Sequence, residues 1–411
     1  MVRGIFPCPR VIDGSLAVTE RICILGGGFG GLTTALELSR QDWGDRPAID
    51  LVDRRERFEF LPLLYDLVTG ASRPWEIAPR YADLLVGTGV RHHRAGVTSV
   101  DLQARTTTLS DGTRLDWDVL VLALGSEPCR DRVPGAAEHS LGFHSLADAR
   151  RLGDHLRELE AVCPQFEISV VGAGYSGVEL ALALADSHGN RAHIRLIEQS
   201  DRILPQATDF NRTAALKALA RRGVTLLTGT SVTTVEAQAL ELNEAGSSVR
   251  CASQLTLWTV GQQPVGAIAD LDLPRDERGR ILVETTLQVQ GHPQVYALGD
   301  LANVIDAQGQ PVPATAQSAL QAARTVAWNV WARLSDRTLQ PFRYRALGEM
   351  VSLGKGDAAL SGMGLTLSGP LAAAARRLVY ISRQPTADQR WRVGVSQLGR
   401  LLSGAVAKVK R

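Results

Sequence analysis

The chain lacks paired cysteines, a long apolar run and a dominant charge, and each absence narrows what it can be. Its five cysteines (Cys8, Cys23, Cys129, Cys163 and Cys251) are scattered over 411 residues with no CxxC or CxxxxC pair. That excludes a disulfide framework, a zinc site and a redox dithiol, and it points to a reducing compartment. No stretch approaches the roughly 18 apolar residues of a spanning helix. The opening MVRGIFPCPR lacks the apolar core of a signal peptide and the length of a transit peptide. The protein is therefore expected to be soluble or to lie on a membrane surface. No Ser–His–acid or metal-ligand cluster stands out, so no metal is expected. The adjacent His92 and His93 read as surface residues on opposite sides of a strand.

Net charge is only +2, which argues against a nucleic-acid binder. The charge is uneven, however. From Leu371 onward nine basic residues (Arg376, Arg377, Arg383, Arg390, Arg392, Arg400, Lys408, Lys410 and Arg411) face the single acid Asp388. Arg376, Arg377 and Arg383 flank the apolar stretch Leu378, Val379, Tyr380 and Ile381, and together these predict an interfacial segment on an anionic membrane surface.

Short apolar runs mark parallel strands at 21–25 (RICIL), 48–52 (AIDLV) and within 114–125. The pattern then restarts with strands at 167–171 (EISVV), 193–197 (HIRLI), 255–261 and 294–298, and a long helix is predicted over 315–334. Two strand–glycine–helix–strand modules in one chain amount to a duplicated nucleotide-binding unit. The expected fold is α/β: two Rossmann-like dinucleotide-binding domains, the second inserted in the first. We divide the chain into an arm (1–19), a first domain in two parts (20–142 and 263–340), an inserted second domain (143–262) and a basic, membrane-associating C-terminal region (341–411).

Gly26, Gly28 and Gly31 form G-x-G-x-x-G directly after a strand. The first glycine permits the tight turn, the second lets backbone approach a pyrophosphate, and the third packs the helix on the sheet. Asp53, at the end of the next strand, is placed to hold ribose hydroxyls. Asp300, in VYALGD, is the distant acid expected beside a flavin's ribityl and pyrophosphate, or a helix N-cap. Gly172, Gly174 and Gly177 repeat the spacing, and Glu198 ends the following strand. A carboxylate there should accept adenosine ribose hydroxyls and repel a 2′-phosphate, which favours NADH over NADPH, with Arg202 nearby as a counterweight. Glu179, in the first turn of that helix, either complements the helix dipole or relays a proton. Gly125 and Gly261 end strands where backbone passes close to a cofactor or simply turns.

Four segments in combination, LVDRRERFEFLPLLYDLVTG (51–70), VVGAGYSGVELA (170–181), VYALGD (295–300) and PATAQSALQAAR (313–324), resemble the type II NADH:quinone oxidoreductases of the pyridine-nucleotide flavoprotein superfamily. WEIAPRYADLL (75–85), MVSLGKGDAALS (350–361) and RRLVYISRQPTADQRWRVGVS (376–396) look like the cyanobacterial and plastid branch, which reduces prenylated naphtho- and benzoquinones, including demethylphylloquinone. That branch is associated with NADPH, against the reading of Glu198, so the donor is left as NAD(P)H. The resemblance implies FAD, held by Gly26, Gly28, Phe29, Gly30, Gly31, Asp53, Arg54, Val97, Ala123, Gly125, Asp300, Ala316 and Gln317. It implies NAD(P)H on Gly172, Gly174, Tyr175, Ser176, Glu179, Glu198 and Gly261. Electrons then pass to a membrane prenylquinone, with Glu179 as relay and Gln317 as quinone orienter. Gln321 shares that helix face one turn on, and neutral amides can donate to quinone carbonyls without titrating. The enzyme is expected at the cytoplasmic face of a membrane, thylakoid or plasma membrane, in a cyanobacterium, with a homodimer left open. A sulfide:quinone reductase, a ferredoxin-type reductase and a non-catalytic NADH-sensing flavoprotein are the competing readings. The first needs a late cysteine, and none follows Cys251.

Overall fold

A computed structural model describes residues 20–409, so the arm 1–19 and the basic residues Lys410 and Arg411 lie outside the described residues. The apolar runs became buried parallel strands, as a sheet covered on both faces requires. The first sheet has the order Gln288–Val289, His292–Ala297, Val119–Leu122, Arg21–Leu25, Ala48–Val52, Arg91–His93. Leu25 pairs with both Val52 and Leu122, so the end of the central strand is set between its two neighbours. The second sheet runs Thr225–Leu227, Ala192–Ile197, Phe166–Val171, Leu255–Trp258, Leu141–Gly142.

The duplication goes further than the glycine turns. Before each chain returns to its sheet it makes a three-stranded antiparallel meander, spanning Val97–Asp101 to Arg114–Asp116 in one half and Thr230–Val235 to Ser247–Ala252 in the other. Two short antiparallel strands, Ser126–Pro128 and Gln262–Pro264, carry the chain into and out of the second sheet. The long helix Ala316–Leu334 is capped by Thr315, whose hydroxyl accepts the Ser318 N–H. Its inner face is small and apolar (Ala319, Ala322, Ala323, Val326, Ala327), which lets it lie closely along Phe29–Ser39.

The C-terminal region has the expected short strands and helices but departs from expectation in its burial. It is a three-stranded meander (Glu349–Ser352, Ala358–Gly362, Leu365–Ser368) followed by two helices, Pro370–Ser382 and Ala387–Val409. These helices are part of the packed body and not a detachable tail. Arg376, expected at a membrane interface, is buried: it donates to Pro62 O at 2.9 Å, its guanidinium lies 4.7 Å from the Tyr380 ring centroid, and Tyr380 packs edge-on to Phe60 at 5.6 Å. Arg400 meets both oxygens of the fully buried Glu76 at 2.7 Å. A helix that must cover the body with one face will take its long cations inward wherever a buried carboxylate awaits them. The expectation for His92 and His93 also needs correction. They do face opposite sides, but both are half-buried: His93 Nε2 is 2.7 Å from Asp50, and His92 stacks on Tyr81 at 4.5 Å.

Removing one partner of a buried ion pair strands the other charge. Arg400→Met is expected to lower stability by about 1–3 kcal/mol, discounted because Arg400 is 30% exposed. Thermal unfolding should show a midpoint lower by a few °C, and Glu76→Gln in the same chain should recover most of it. An unchanged midpoint would mean the pair is not structural.

Candidate functional site: two glycine turns and a buried acid

At the first turn Gly26 has φ +100°, and a Cβ there would stand 2.3 Å from Ala123 O. A Cβ on Gly31 would fall 1.7 Å from Gly26 O. Gly28, the N-cap of Phe29–Ser39, is the opposite case, with open space where its Cβ would be. A helix N-terminus with free backbone on its open side fits a pyrophosphate. The second turn repeats this. Gly172 (φ +101°) is hemmed by Val260 Cγ1 at 2.2 Å, Gly177 by Gly172 O at 1.8 Å, and Gly174 caps Tyr175–His188 facing open space.

The acids repeat too. Gly27 N–H donates to Asp53 Oδ2 at 2.8 Å, and Ala173 N–H donates to Glu198 Oε2 at 2.7 Å. Each carboxylate is thus tied to the residue after the first glycine of its turn. Beyond that bond they differ. Glu198 takes one more, from Ser200 N–H at 2.9 Å, which leaves half of its acceptor capacity open. Asp53 is saturated by Arg55, which supplies its backbone N–H (2.9 Å), Nε (3.0 Å) and Nη2 (3.1 Å). Burial pushes the Asp53 carboxyl upward, but the bonds and charge of Arg55 and the Gly27 N–H outweigh it and hold the group below the usual carboxylate range. Arg55 was missed by the sequence reading. The neighbouring Arg54, expected at the flavin, is exposed.

The other expected flavin contacts have these places in the fold. Phe29, the first residue of its helix, packs edge-on to Phe58 and Phe60, each at 5.2 Å. A Cβ on Gly30 would meet Leu298 at 3.1 Å. Ala123 N–H bonds to Leu25 O at 2.8 Å, and Gly125 (φ +73°) is open. Val97 begins the first meander, and Ala316 begins the long helix. Asp300 lies in the short turn Gly299–Leu301 and accepts from Ser126 Oγ at 3.1 Å, and Ser126 Oγ also contacts Gln262. This acid therefore sits where the two crossing strands meet the first sheet. Gly261 (φ +76°) turns against Cys129, whose carbonyl would be 2.9 Å from a Cβ.

Glu179 lies one turn deeper than expected, as the fifth residue of its helix, and is 7% exposed. It accepts Ser352 N–H at 2.6 Å and faces Arg376 Nη2 at 3.8 Å, while Arg376 Nη1 is 3.8 Å from Asp66. Burial pushes its carboxyl up to about 7, against the pull of Arg376 and the Ser352 N–H and with a small push from Asp66. The buried Tyr65 hydroxyl feels its charge, and Tyr175 OH donates to Glu349. Helix-dipole compensation does not describe such a group. A buried acid that titrates near neutrality can hold or release a proton.

The two glutamines point the same way, but into protein. Gln317 Nε2 donates to Gly348 O (3.2 Å), and its Oε1 accepts Leu347 N–H (2.9 Å) and Tyr344 OH (3.1 Å). Gln321 pairs both amide atoms with the Arg345 backbone, at 2.9 and 3.0 Å. The shared helix face was foreseen. Its present partner is the strand-like link 344–348, because unpaired backbone there competes for the amides.

Residues 20–323 match the model of a family described as pyridine nucleotide-disulphide oxidoreductase. The chain belongs to that family. The resemblance read from the motifs is borne out. Demethylphylloquinone reductase NdbB of Synechocystis sp. is 44% identical over 93% of this chain and 96% of its own length. The alternative NAD(P)H-ubiquinone oxidoreductase C1, chloroplastic/mitochondrial, of Arabidopsis thaliana is 40% identical over 97% of this chain and 84% of its own. The fold matches NDH2 from Plasmodium falciparum in complex with NADH, with TM-score 0.83 at 17% identity over 92% of this chain and 98% of that one. In this member of a disulphide oxidoreductase family, the described cysteines Cys23, Cys129, Cys163 and Cys251 are all free.

Glu179 also couples pH to stability. Between pH 4.5 and about 7 the folded chain holds a proton there that the unfolded chain has released, so this group's contribution to stability falls as pH rises through that window. Glu179→Gln is expected to flatten that fall. Thermal midpoints at pH 5, 6, 7 and 8 check it, and parallel curves for the two proteins would overturn the assignment.

Proposed function

We propose that this protein is an FAD-dependent NAD(P)H:quinone oxidoreductase acting on a membrane prenylquinone of the demethylphylloquinone, menaquinone or plastoquinone type. The observation that carries it is the repeated geometry: two open glycine turns, each with its own acid bonded to the turn, and a proton-holding carboxylate on the second glycine helix. Bound FAD supplies the two-electron chemistry between nicotinamide and quinone.

The chain's own residues do the rest. Gly28 and the start of Phe29–Ser39 would hold the flavin's pyrophosphate, with Asp53 and Asp300 toward its sugar chain. Ribose hydroxyls approaching Asp53 would have to displace or share the bonds of Arg55. Gly174, Tyr175 and Ser176 would hold the nicotinamide dinucleotide, and the open acceptor sites of Glu198 suit a ribose diol. Glu179 exchanges a proton near neutral pH, and Arg376 and the Ser352 N–H orient it. Gln317, whose second N–H is not committed to Gly348, remains the residue on that helix able to donate to a quinone carbonyl. Gln321 serves to fix the link at Arg345. A sulfide-oxidising reading is disfavoured because no cysteine follows Cys251.

The membrane reading moves from the cations to the outer faces of the C-terminal helices. Trp391 (74% exposed), Val395 and Leu398 recur at i, i+4 and i+7, and Leu371 and Leu378 are exposed on the preceding helix. The nearby Arg390 and Arg392 are exposed as well. Among the described residues no helix is long and apolar enough to cross a membrane. An apolar stripe with basic neighbours suits the surface of an anionic bilayer.

Stopped-flow mixing of the purified yellow protein with NADH or NADPH should bleach the flavin, and a menaquinone analogue should restore it. No bleaching with either donor would overturn the reading. Glu198→Gln should move the donor ratio toward NADPH by about tenfold, roughly one charge-assisted bond; an unchanged ratio would free that carboxylate of its role. Trp391→Asp with Leu398→Asp should abolish sedimentation with anionic vesicles while turnover of a soluble quinone persists. Undiminished sedimentation would exclude this face.

A further inference from the structure

Most polar side chains buried by the C-terminal helices have partners in the body. Gln389 Nε2 donates to Trp75 O at 3.2 Å, Arg400 pairs with Glu76, and Arg376 reaches Pro62 O. Gln384 does not. It lies in the turn between the two helices and is 0% exposed. Its backbone is anchored: its N–H bonds to Ile381 O at 3.2 Å and its carbonyl accepts Arg390 Nε at 2.9 Å. Yet neither its Nε2 nor its Oε1 has a hydrogen-bond partner in the protein. Gln397 Oε1, on the inner face of the next helix, and Arg376 Nε are unpartnered as well. The layer these helices form with the body also has aromatic contacts, with Tyr380 on Phe60 and Phe60 on Phe29 at the start of the first glycine helix.

A fully buried amide with both ends unmet carries a desolvation penalty that leucine at the same place would not. Buried polar groups in native proteins are met by something, whether protein, water or ligand. This amide asks for a molecule that accepts one hydrogen bond and donates another in apolar surroundings. A quinone carbonyl accepts, and the hydroxyl of the quinol donates. One glutamine therefore suits both redox forms without changing its own charge, as a carboxylate or ammonium could not. Gln317 and Gln321 each bond to residues 344–348 through both amide atoms, with one N–H of Gln317 left over, whereas neither end of the Gln384 amide is engaged.

We propose that Gln384 is an acceptor-binding residue: its Nε2 donates to the carbonyl of the quinone, and after reduction its Oε1 accepts the hydroxyl of the quinol. The reaction itself is the one proposed above, quinone + NAD(P)H + H⁺ giving quinol + NAD(P)⁺, and the assignment rests on that reading.

The test uses the FAD-loaded full chain, Gln384→Leu and, as a near-isosteric second variant, Gln384→Met. Binding of oxidised menadione without any donor is followed by quenching of tryptophan fluorescence. Steady-state turnover with NADH is measured with menadione and with ferricyanide, an anion that needs no amide contact. Both variants should raise the Kd and KM for menadione about tenfold, the scale of losing one buried hydrogen bond. The KM for NADH and ferricyanide turnover should stay the same, and the thermal midpoint should hold or rise, since each variant removes an unmet buried amide. If the variants bind menadione as the wild type does, the amide serves a buried water only and the assignment falls. If instead the thermal midpoint drops and both acceptors suffer equally, the role is structural and the assignment falls again. A wild type that bleaches with NADH but neither binds nor reduces menadione defeats the parent reading before this one, so the two failures are distinguishable.

Discussion

One buried carboxylate joins the three parts of this chain. Glu179 leaves the second glycine helix, accepts a backbone N–H from the C-terminal meander, and faces a guanidinium from the helix beyond. That guanidinium in turn reaches Pro62 and Asp66, which belong to the first half of the chain. Burying a charge is expensive unless it is paired and hydrogen-bonded. The first glycine-turn unit, the second and the C-terminal helices must therefore arrive together for all of these groups to be satisfied. The same compromise leaves Glu179 titrating near neutrality, at the place where the two dinucleotide units meet.

Around that point the two units are copies with different finishes. Both seat the acid of the second strand on the first N–H of the glycine turn, because a parallel strand pair in register brings a strand end and a turn to one height. In the second copy the acid keeps acceptor capacity for a ligand. In the first, Arg55 takes it up, and the pair stays charged despite its burial.

The amides divide in a similar way. Gln317 and Gln321 share a helix face, as their i, i+4 spacing requires. That face turns toward residues 344–348, and the glutamines satisfy a stretch of chain without a strand partner of its own. Gln384 belongs to no motif and sits in a turn, yet it is the amide left open inside the body. Spacing reports which residues are neighbours on one element. It is silent on which of them another element has already engaged.

The sequence by itself determined the strands, both glycine turns, both terminal acids, the duplication and the family, because each is a local pattern: an apolar run, a fixed glycine spacing, an acid at a strand end. Even the capped start of the long helix was legible within one residue. The two meanders were not, since their strands are short and the outer ones, Val97–Asp101 and Ser247–Ala252, are largely exposed. Only the tertiary structure decided the fate of the basic C-terminal residues. Composition counted nine cations and predicted a surface, but Arg376 and Arg400 meet buried carboxylates roughly 200 and 320 residues away in sequence. Charge is a property of the residue, whereas burial depends on what the rest of the chain brings against it.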